Sequence, residues 1–172
     1  MNYTELRHML LNSSAKERLR HHLCFPELKD ISTEGVAVVL GQWWHPLHYF
    51  PSFLSRTLSV VPMIEMKTAI SRILFQELGE GDCCKAHEYV YVQTKVDAGF
   101  CPEKIINTPP LKPTRQLVEG YAKASNSCWS GLGFLYGTEI ADLIIVSFIG
   151  KRVRQAAGKQ QLPWVDIHVK RT

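Results

Sequence analysis

The segment Glu77–His87 reads ELGEGDCCKAH and places two glutamates and a histidine within about three helical turns. Glu80 and His87 are seven residues apart. If the segment is helical throughout, at about 100° per residue their side chains project from almost the same face. Carboxylate oxygens and imidazole nitrogens suit iron and manganese. The segment therefore predicts a metal ion held by Glu80 and His87.

Two further candidate metal ligands come later in the chain. Glu139 lies in the otherwise apolar stretch 133–141, where a buried acid would need a partner. His168 lies close to the C-terminus. Helical bundles build di-iron sites from carboxylates and imidazoles that project inward from several helices. Together these residues predict a metal centre inside a bundle.

Length and composition indicate one folded domain spanning residues 1–172. The chain has 45% hydrophobic and 21% charged residues, which are ordinary values for a globular protein with a sizeable core. The net charge of +4 is modest, and the clearest basic cluster, Lys151–Arg154, fits a solvated helix end. We therefore expect no nucleic acid partner.

Cysteine usage and hydropathy predict a cytoplasmic location. The five cysteines contain no CxxC pair, so they indicate neither a disulfide framework nor a zinc knuckle, and a reducing cytosol suits them. The N-terminus lacks the basic and then apolar run of a signal peptide. The most apolar stretch, Ile140–Ile149, carries Asp142 and is too short to span a bilayer. We expect no membrane insertion.

Helical periodicity, with prolines and glycines at the boundaries, predicts an all-α fold of about seven helices. The four prolines between residues 98 and 113 predict one long connection. The predicted helices are residues 4–23, ended by Cys24–Pro26; a helix from Ser32 with a kink or break at Pro46 or Pro51; residues 62–80; 83–97; 114–124; 126–157, ended by Gly158; and a last one from Pro163.

Three segments carry motifs that point to one family. Gly41–Leu54 reads GQWWHPLHYFPSFL, an aromatic pair and a histidine followed by Phe-Pro-x-Phe-Leu. Residues 78–87 read LGEGDCCKAH, and residues 135–139 read LYGTE. In this order, with His168 after them, they resemble segments of the heme-oxygenase-like di-iron oxidases and oxygenases, including CADD-like proteins.

The resemblance implies a heme-oxygenase-like bundle with two iron ions, or manganese instead, between its core helices. It also implies O2 as co-substrate and a small organic, often amino-acid-derived, substrate. By position, Glu80 and His87 match a Glu-x6-His pair, Glu139 a mid-chain glutamate, and His168 the first histidine of a terminal His-x3-Asp-x2-His motif. Glu77 matches a glutamate that some N-oxygenating relatives place ten residues before the histidine.

Tyr136 and His48 are candidate catalytic residues, and Tyr136 or Trp44 is a candidate wall of the cavity near the metal. The chain departs from the terminal motif at Thr172, where the motif has aspartate, and the last helix is cut short before the second histidine. This leaves few ligands for a second metal. Dimers are common among the proteins that the chain resembles, so a homodimer is a candidate assembly.

Two other functions stay open at this point. Residues 127–129 read SCW and resemble the neighbourhood of the nucleophilic cysteine in TenA-type thiaminases, which share the TenA/PqqC-like form of this fold. Cys128 would then attack a pyrimidine-methyl compound, and its thiolate would need activation. The remaining hypothesis is a truncated, non-catalytic bundle that binds a small ligand.

Overall fold

The computed structural model of the protein describes residue 8 and residues 12–22, 24–27, 30–158 and 162–165, except for the side chains of Cys24, Glu27 and Leu143. These residues form eight α-helices and one 3-10 turn, with no strand among them. The helices are α1 (Ser14–Arg20), α2 (Cys24–Glu27), α3 (Thr33–Val60), α4 (Ile64–Glu77), α5 (His87–Asp97), α6 (Pro102–Ile106), α7 (Lys112–Ala124) and α8 (Cys128–Ala157), and the 3-10 turn is Cys83–Lys85. The all-α prediction is confirmed.

Helix α3 is the central element of the bundle. Its N-cap residue Ser32 accepts a hydrogen bond from the Gly35 N–H at 3.2 Å, which satisfies a donor that the first turn leaves unpaired. Of the predicted kink or break at Pro46 or Pro51, the break is absent, because the helix runs through both prolines to Val60. Packing of α3 against α4, α6, α7 and α8 offsets the backbone hydrogen bonds that the prolines cannot donate.

Two hydrophobic clusters form the core, and α3 contributes to both. One joins its first half to α5, α6, the C-terminal half of α8 and residues 162–165; the other joins its second half to α4, α7 and the first half of α8. The buried members of the first are Val36, Leu40, Tyr91, Phe100, Ile105, Val146, Ile149, Val153, Leu162, Trp164 and Val165. Those of the second are Phe50, Phe53, Leu54, Val61, Ile70, Tyr121, Ala124 and Leu135.

The segment between α4 and α5 is a turn, so the continuous helix that would place Glu80 and His87 on one face is not formed. Glu80 has a φ of +56°, and the glycines on either side of it have φ values of +85° and +93°. A Cβ atom at Gly79 would lie 2.1 Å from the Asp82 carbonyl oxygen. This left-handed backbone favours glycine and ends the helix. Glu77 is therefore the last residue of α4, and His87 is the first of α5.

Helix α8 is unbroken over 30 residues, although it contains several glycines. Gly131 lets it approach α3 closely, because a Cβ there would lie 2.7 Å from the Thr57 side chain. The helix ends at Gly158, as predicted, with a φ of +64°. By length and composition α8 could cross a membrane, which corrects the statement that the apolar stretch is too short. Of the apolar window that passes this test, 18% is buried, and the absence of membrane insertion stays a prediction.

The remaining boundaries differ in detail from the predicted ones. Cys24–Pro26 belongs to α2 instead of ending a helix. The predicted long connection contains α6, which begins with Pro102, a residue that suits the first helical turn. The predicted first helix lies partly outside the described residues. The last one begins with helical residues at 163–165, and its continuation lies outside them.

Candidate metal centre

A cavity of about 460 Å³ opens between α1, α3, α4, α7 and α8. Its wall combines apolar side chains with carboxylates, hydroxyls and two cations. The lining residues are Lys16, Arg20, Trp43, Pro46, Leu47, Phe50, Ile73, Gln76, Glu77, Leu117, Tyr121, Tyr136, Thr138, Glu139, Ile140, Asp142 and Ile144. The cavity is large enough for a small organic molecule.

Glu77 brings an imidazole to the edge of this cavity. Its Oε1 lies 2.9 Å from Nδ1 of His87, and the two side chains are 11% and 5% exposed. The turn after α4 returns the chain so that the last residue of α4 faces the first residue of α5. The contact orients the Glu77 carboxylate toward the cavity and fixes the imidazole behind it.

Helix α8 supplies two more carboxylates. Glu139 and Asp142 are three residues apart, so they lie on neighbouring turns of one helix face, and both line the cavity. Burial, together with the negative charges of Glu139 and Glu77, raises the pKa of Asp142 to about 7. The three carboxylates are therefore close enough to repel one another, and a bound cation would relieve this repulsion.

Two tyrosines complete the polar part of the wall. The Tyr121 hydroxyl lies 2.8 Å from Oγ1 of Thr138, and burial raises its pKa to about 12. Tyr121 therefore stays protonated at neutral pH. Tyr136 also lines the cavity, where the sequence placed it as a candidate catalytic residue.

The structure brings together some of the predicted site residues and separates others. Glu77, Glu139 and Tyr136 line the cavity, and His87 contacts Glu77. Glu80 is exposed in the turn and does not line the cavity. The prediction that Glu80 shares a helix face with His87 is wrong, because no helix connects them. His168 lies outside the described residues.

His48 is an exposed residue on the outer side of α3. Its Nδ1 lies 2.9 Å from Oε1 of Glu88, and its ring stacks on Trp44 at a centroid distance of 4.6 Å. Neither His48 nor Trp44 is among the lining residues, whereas Trp43 is. Cys128 is half-buried at the start of α8 and does not line the cavity either.

Two cavity residues were not predicted as site residues. Asp142 appeared in the sequence only as a polar interruption of an apolar stretch, yet its spacing from Glu139 would have placed the two acids on one helix face. Tyr121 gave no signal of its own, because a tyrosine in an amphipathic helix is usually a core residue.

The types of donor around the cavity fit iron. Three carboxylates and one imidazole are the hard and borderline ligands that non-heme iron prefers, and they come from three helices, as in bundle metal sites. These cavity ligands lie too far apart for three of them to hold one ion in their present positions. Among the described residues, the three metal-binding side chains whose ligand atoms all lie within 4.8 Å of one another are Asp82, Cys83 and Cys84 on the surface. Ion binding would therefore require the carboxylates to move together.

The fold and the cavity define a class: an all-helical bundle whose interior carries carboxylates and an imidazole. A family model described as "Iron-containing redox enzyme", of the heme-oxygenase-like type, matches residues 37–171. This match covers most of the chain, and the chain belongs to that family. No curated protein and no solved structure matches the chain. Family membership implies iron and an oxidoreductase activity.

Proposed function

We propose that the chain is a non-heme iron oxidase or oxygenase that uses O2 to oxidise a small organic substrate in the cavity. The observation that carries this proposal is the convergence of Glu77, Glu139 and Asp142 on one cavity, with Nδ1 of His87 2.9 Å from Oε1 of Glu77. Carboxylates favour a non-heme ion, since heme iron is bound through axial histidine, cysteine, methionine or tyrosine side chains.

In this proposal Glu77, Glu139 and Asp142 offer anionic oxygens to iron, and His87 is the candidate imidazole ligand. Bound Fe(II) would supply the electrons that reduce O2. The resemblance implies two ions, and the iron stoichiometry tests that number. The Nδ1 of His87 lies 2.9 Å from Oε1 of Glu77, and ligation through the other ring nitrogen would leave this contact in place.

The remaining wall would hold the substrate and exclude water. Trp43, Leu47 and Phe50 give the cavity an apolar side, which limits the access of water to reactive oxygen species. On the same wall, Lys16 and Arg20 from α1 would favour a substrate that carries a negative group. The Thr138 hydroxyl donates to the Phe134 carbonyl, so the Tyr121 hydroxyl donates to Thr138 and can accept a hydrogen bond near the carboxylates.

Oxygen consumption tests the proposal. The chain is loaded with Fe(II) without oxygen, then mixed with O2, and the O2 consumed per iron is followed with an electrode. We expect faster consumption than by Fe(II) in buffer, loss of that excess in Asp142→Asn, and no change in Glu80→Gln, which alters an exposed turn carboxylate. Equal rates for the wild-type chain, Asp142→Asn and buffer would refute the oxidase.

The same experiment separates the thiaminase hypothesis. Cys128→Ser should leave the oxygen consumption unchanged, because its thiol does not line the cavity. Iron-independent cleavage of a pyrimidine-methyl compound, lost in Cys128→Ser, would instead support the thiaminase.

A further inference from the structure

The turn between α4 and α5 carries a second group of metal-binding side chains, on the outer surface. The Asp82 carboxylate and the thiols of Cys83 and Cys84 offer ligand atoms that all lie within 4.8 Å of one another. All three residues are exposed and none lines the cavity. The cluster is therefore separate from the candidate metal centre.

Local hydrogen bonds hold these ligand atoms in place. The Asp82 carboxylate accepts a hydrogen bond from the Cys84 N–H at 3.0 Å. The Asp82 and Cys83 carbonyls accept hydrogen bonds from the N–H groups of Lys85 and Ala86 at 2.8 and 3.1 Å. Gly79 closes the turn against the Asp82 carbonyl. A site that is already ordered has less conformational entropy to lose when an ion binds.

The cluster would need a cation before both of its thiols could ionise. The Lys85 ammonium lies 3.3 Å from the Asp82 carboxylate, and this exposed pair is easily exchanged. The pKa of the Cys84 thiol is raised first by Cys83, through its charge and a hydrogen bond, and then by the charge of Asp82. Ionising both thiols beside Asp82 therefore requires a compensating positive charge.

We propose that Asp82, Cys83 and Cys84 bind one thiophilic divalent cation of the Zn²⁺ type. The two thiols would each release a proton to solvent as they bind the ion, and the Asp82 carboxylate would be the third ligand. Water can fill the fourth position, since the cluster is open to solvent. Thiolates favour zinc-like ions, whereas the carboxylates of the cavity favour harder ones.

An ion bound at the cluster would act on the buried Glu77–His87 contact through the turn that carries the cluster. The turn that it would bridge begins after Glu77 and ends before His87, which form the buried contact beside the cavity. An ion at the surface would stiffen the segment that sets the distance between these two residues.

Cobalt provides the probe, because a thiolate bound to Co²⁺ gives a charge-transfer absorption that carboxylate and imidazole ligands do not give. The reduced full chain is titrated with Co²⁺ and then with Zn²⁺. We expect a thiolate-to-cobalt band that saturates at one ion per chain and disappears when Zn²⁺ displaces Co²⁺. Cys83→Ser/Cys84→Ser should abolish the band. Asp82→Asn should weaken binding by roughly tenfold or more, since even the loss of a ligand's hydrogen-bonding partner costs about 10- to 100-fold in affinity.

A matched control assigns the ligands. Cys101→Ser removes another exposed thiol and should keep the band with unchanged affinity. Circular dichroism checks that each variant is folded. We expect that all are, because the substituted side chains of the cluster are exposed. The proposal is overturned if the wild-type chain shows no thiolate band, if the band survives in the double serine variant, or if Cys101→Ser removes it.

Discussion

Nδ1 of His87 and Oε1 of Glu77 lie 2.9 Å apart, between side chains that are only 5% and 11% exposed. His48 and Glu88 make a contact of the same length through the same nitrogen, but their side chains are 56% and 37% exposed. The two pairs have the same residue types and the same distance and differ in burial. Burial decides how much a pair contributes to stability, because water screens the exposed one.

Replacing each histidine by leucine tests this difference. In the metal-free chain, His87→Leu leaves the Glu77 carboxylate buried without its partner, and we expect it to lower the free energy of unfolding by about 2 to 4 kcal/mol. His48→Leu should cost less than about 1 kcal/mol. Urea unfolding followed by circular dichroism measures both. Equal costs for the two variants would contradict the assigned burial.

Lys95 predicts a pH dependence of stability. Its side chain is fully buried, and its ammonium lies 4.8 Å from the ring centroids of both Tyr91 and Trp164. It makes no hydrogen bond with any described residue. Burial, with a further contribution from Arg154, lowers its pKa from 10.5 to about 7. Between pH 7 and about 10.5 the unfolded chain therefore binds the additional proton, and the free energy of unfolding should rise with pH across this window.

Lys95→Met should remove the contribution of Lys95 to this rise. At pH 6 the lysine is charged in both states, so the variant should gain on the order of 2 to 4 kcal/mol, which allows for the lost contacts to the two rings. Lys123→Met, at an exposed position of α7, is the control and should keep the wild-type pH profile. The assignment fails if Lys95→Met has the same pH profile as the wild-type chain.

Two glycines with positive φ should respond differently to replacement by alanine: Gly79, in the turn between α4 and α5, and Gly99, just after α5. Gly99 has a φ of +91°, and a Cβ atom added there would meet no other atom within 4 Å, whereas Gly79 has a φ of +85° and a carbonyl oxygen at 2.1 Å. Gly99→Ala should cost about 1 kcal/mol for its backbone conformation. Gly79→Ala adds a clash with the backbone and should cost about 3 kcal/mol or more. Thermal unfolding compares the two, and a smaller cost at Gly79 would contradict the geometry of the turn.

The sequence predicted the helical class and several cavity residues because their signals are local. Helical periodicity and caps identify most of the helices, and Glu139 stood out as an acid in an apolar stretch. Glu77 and Tyr136 followed from the resemblance. In each case neighbouring residues, or a short motif, contained the information.

The wrong predictions concern features that the backbone conformation or the packing of the helices determines. Glu80 lies between two glycines that permit positive φ, and this turn chemistry outweighed the seven-residue spacing to His87. The rotation of α3 against its neighbours directs Trp43 into the cavity and leaves His48 outside. The burial of Lys95 depends on Trp164, 69 positions further along the chain, which no local pattern reveals.

The most direct test of the proposed metal centre is the amount of iron that the chain binds. Equilibrium dialysis against Fe(II) without oxygen, followed by metal analysis, compares the wild-type chain with Glu77→Gln/Asp142→Asn and with Glu80→Gln. We predict that the wild-type chain and Glu80→Gln retain iron equally, with two ions per chain if the centre is di-iron. The double variant should bind at least about tenfold more weakly. A wild-type chain that retains no iron, or a double variant that retains as much as the wild-type chain, would contradict the proposal.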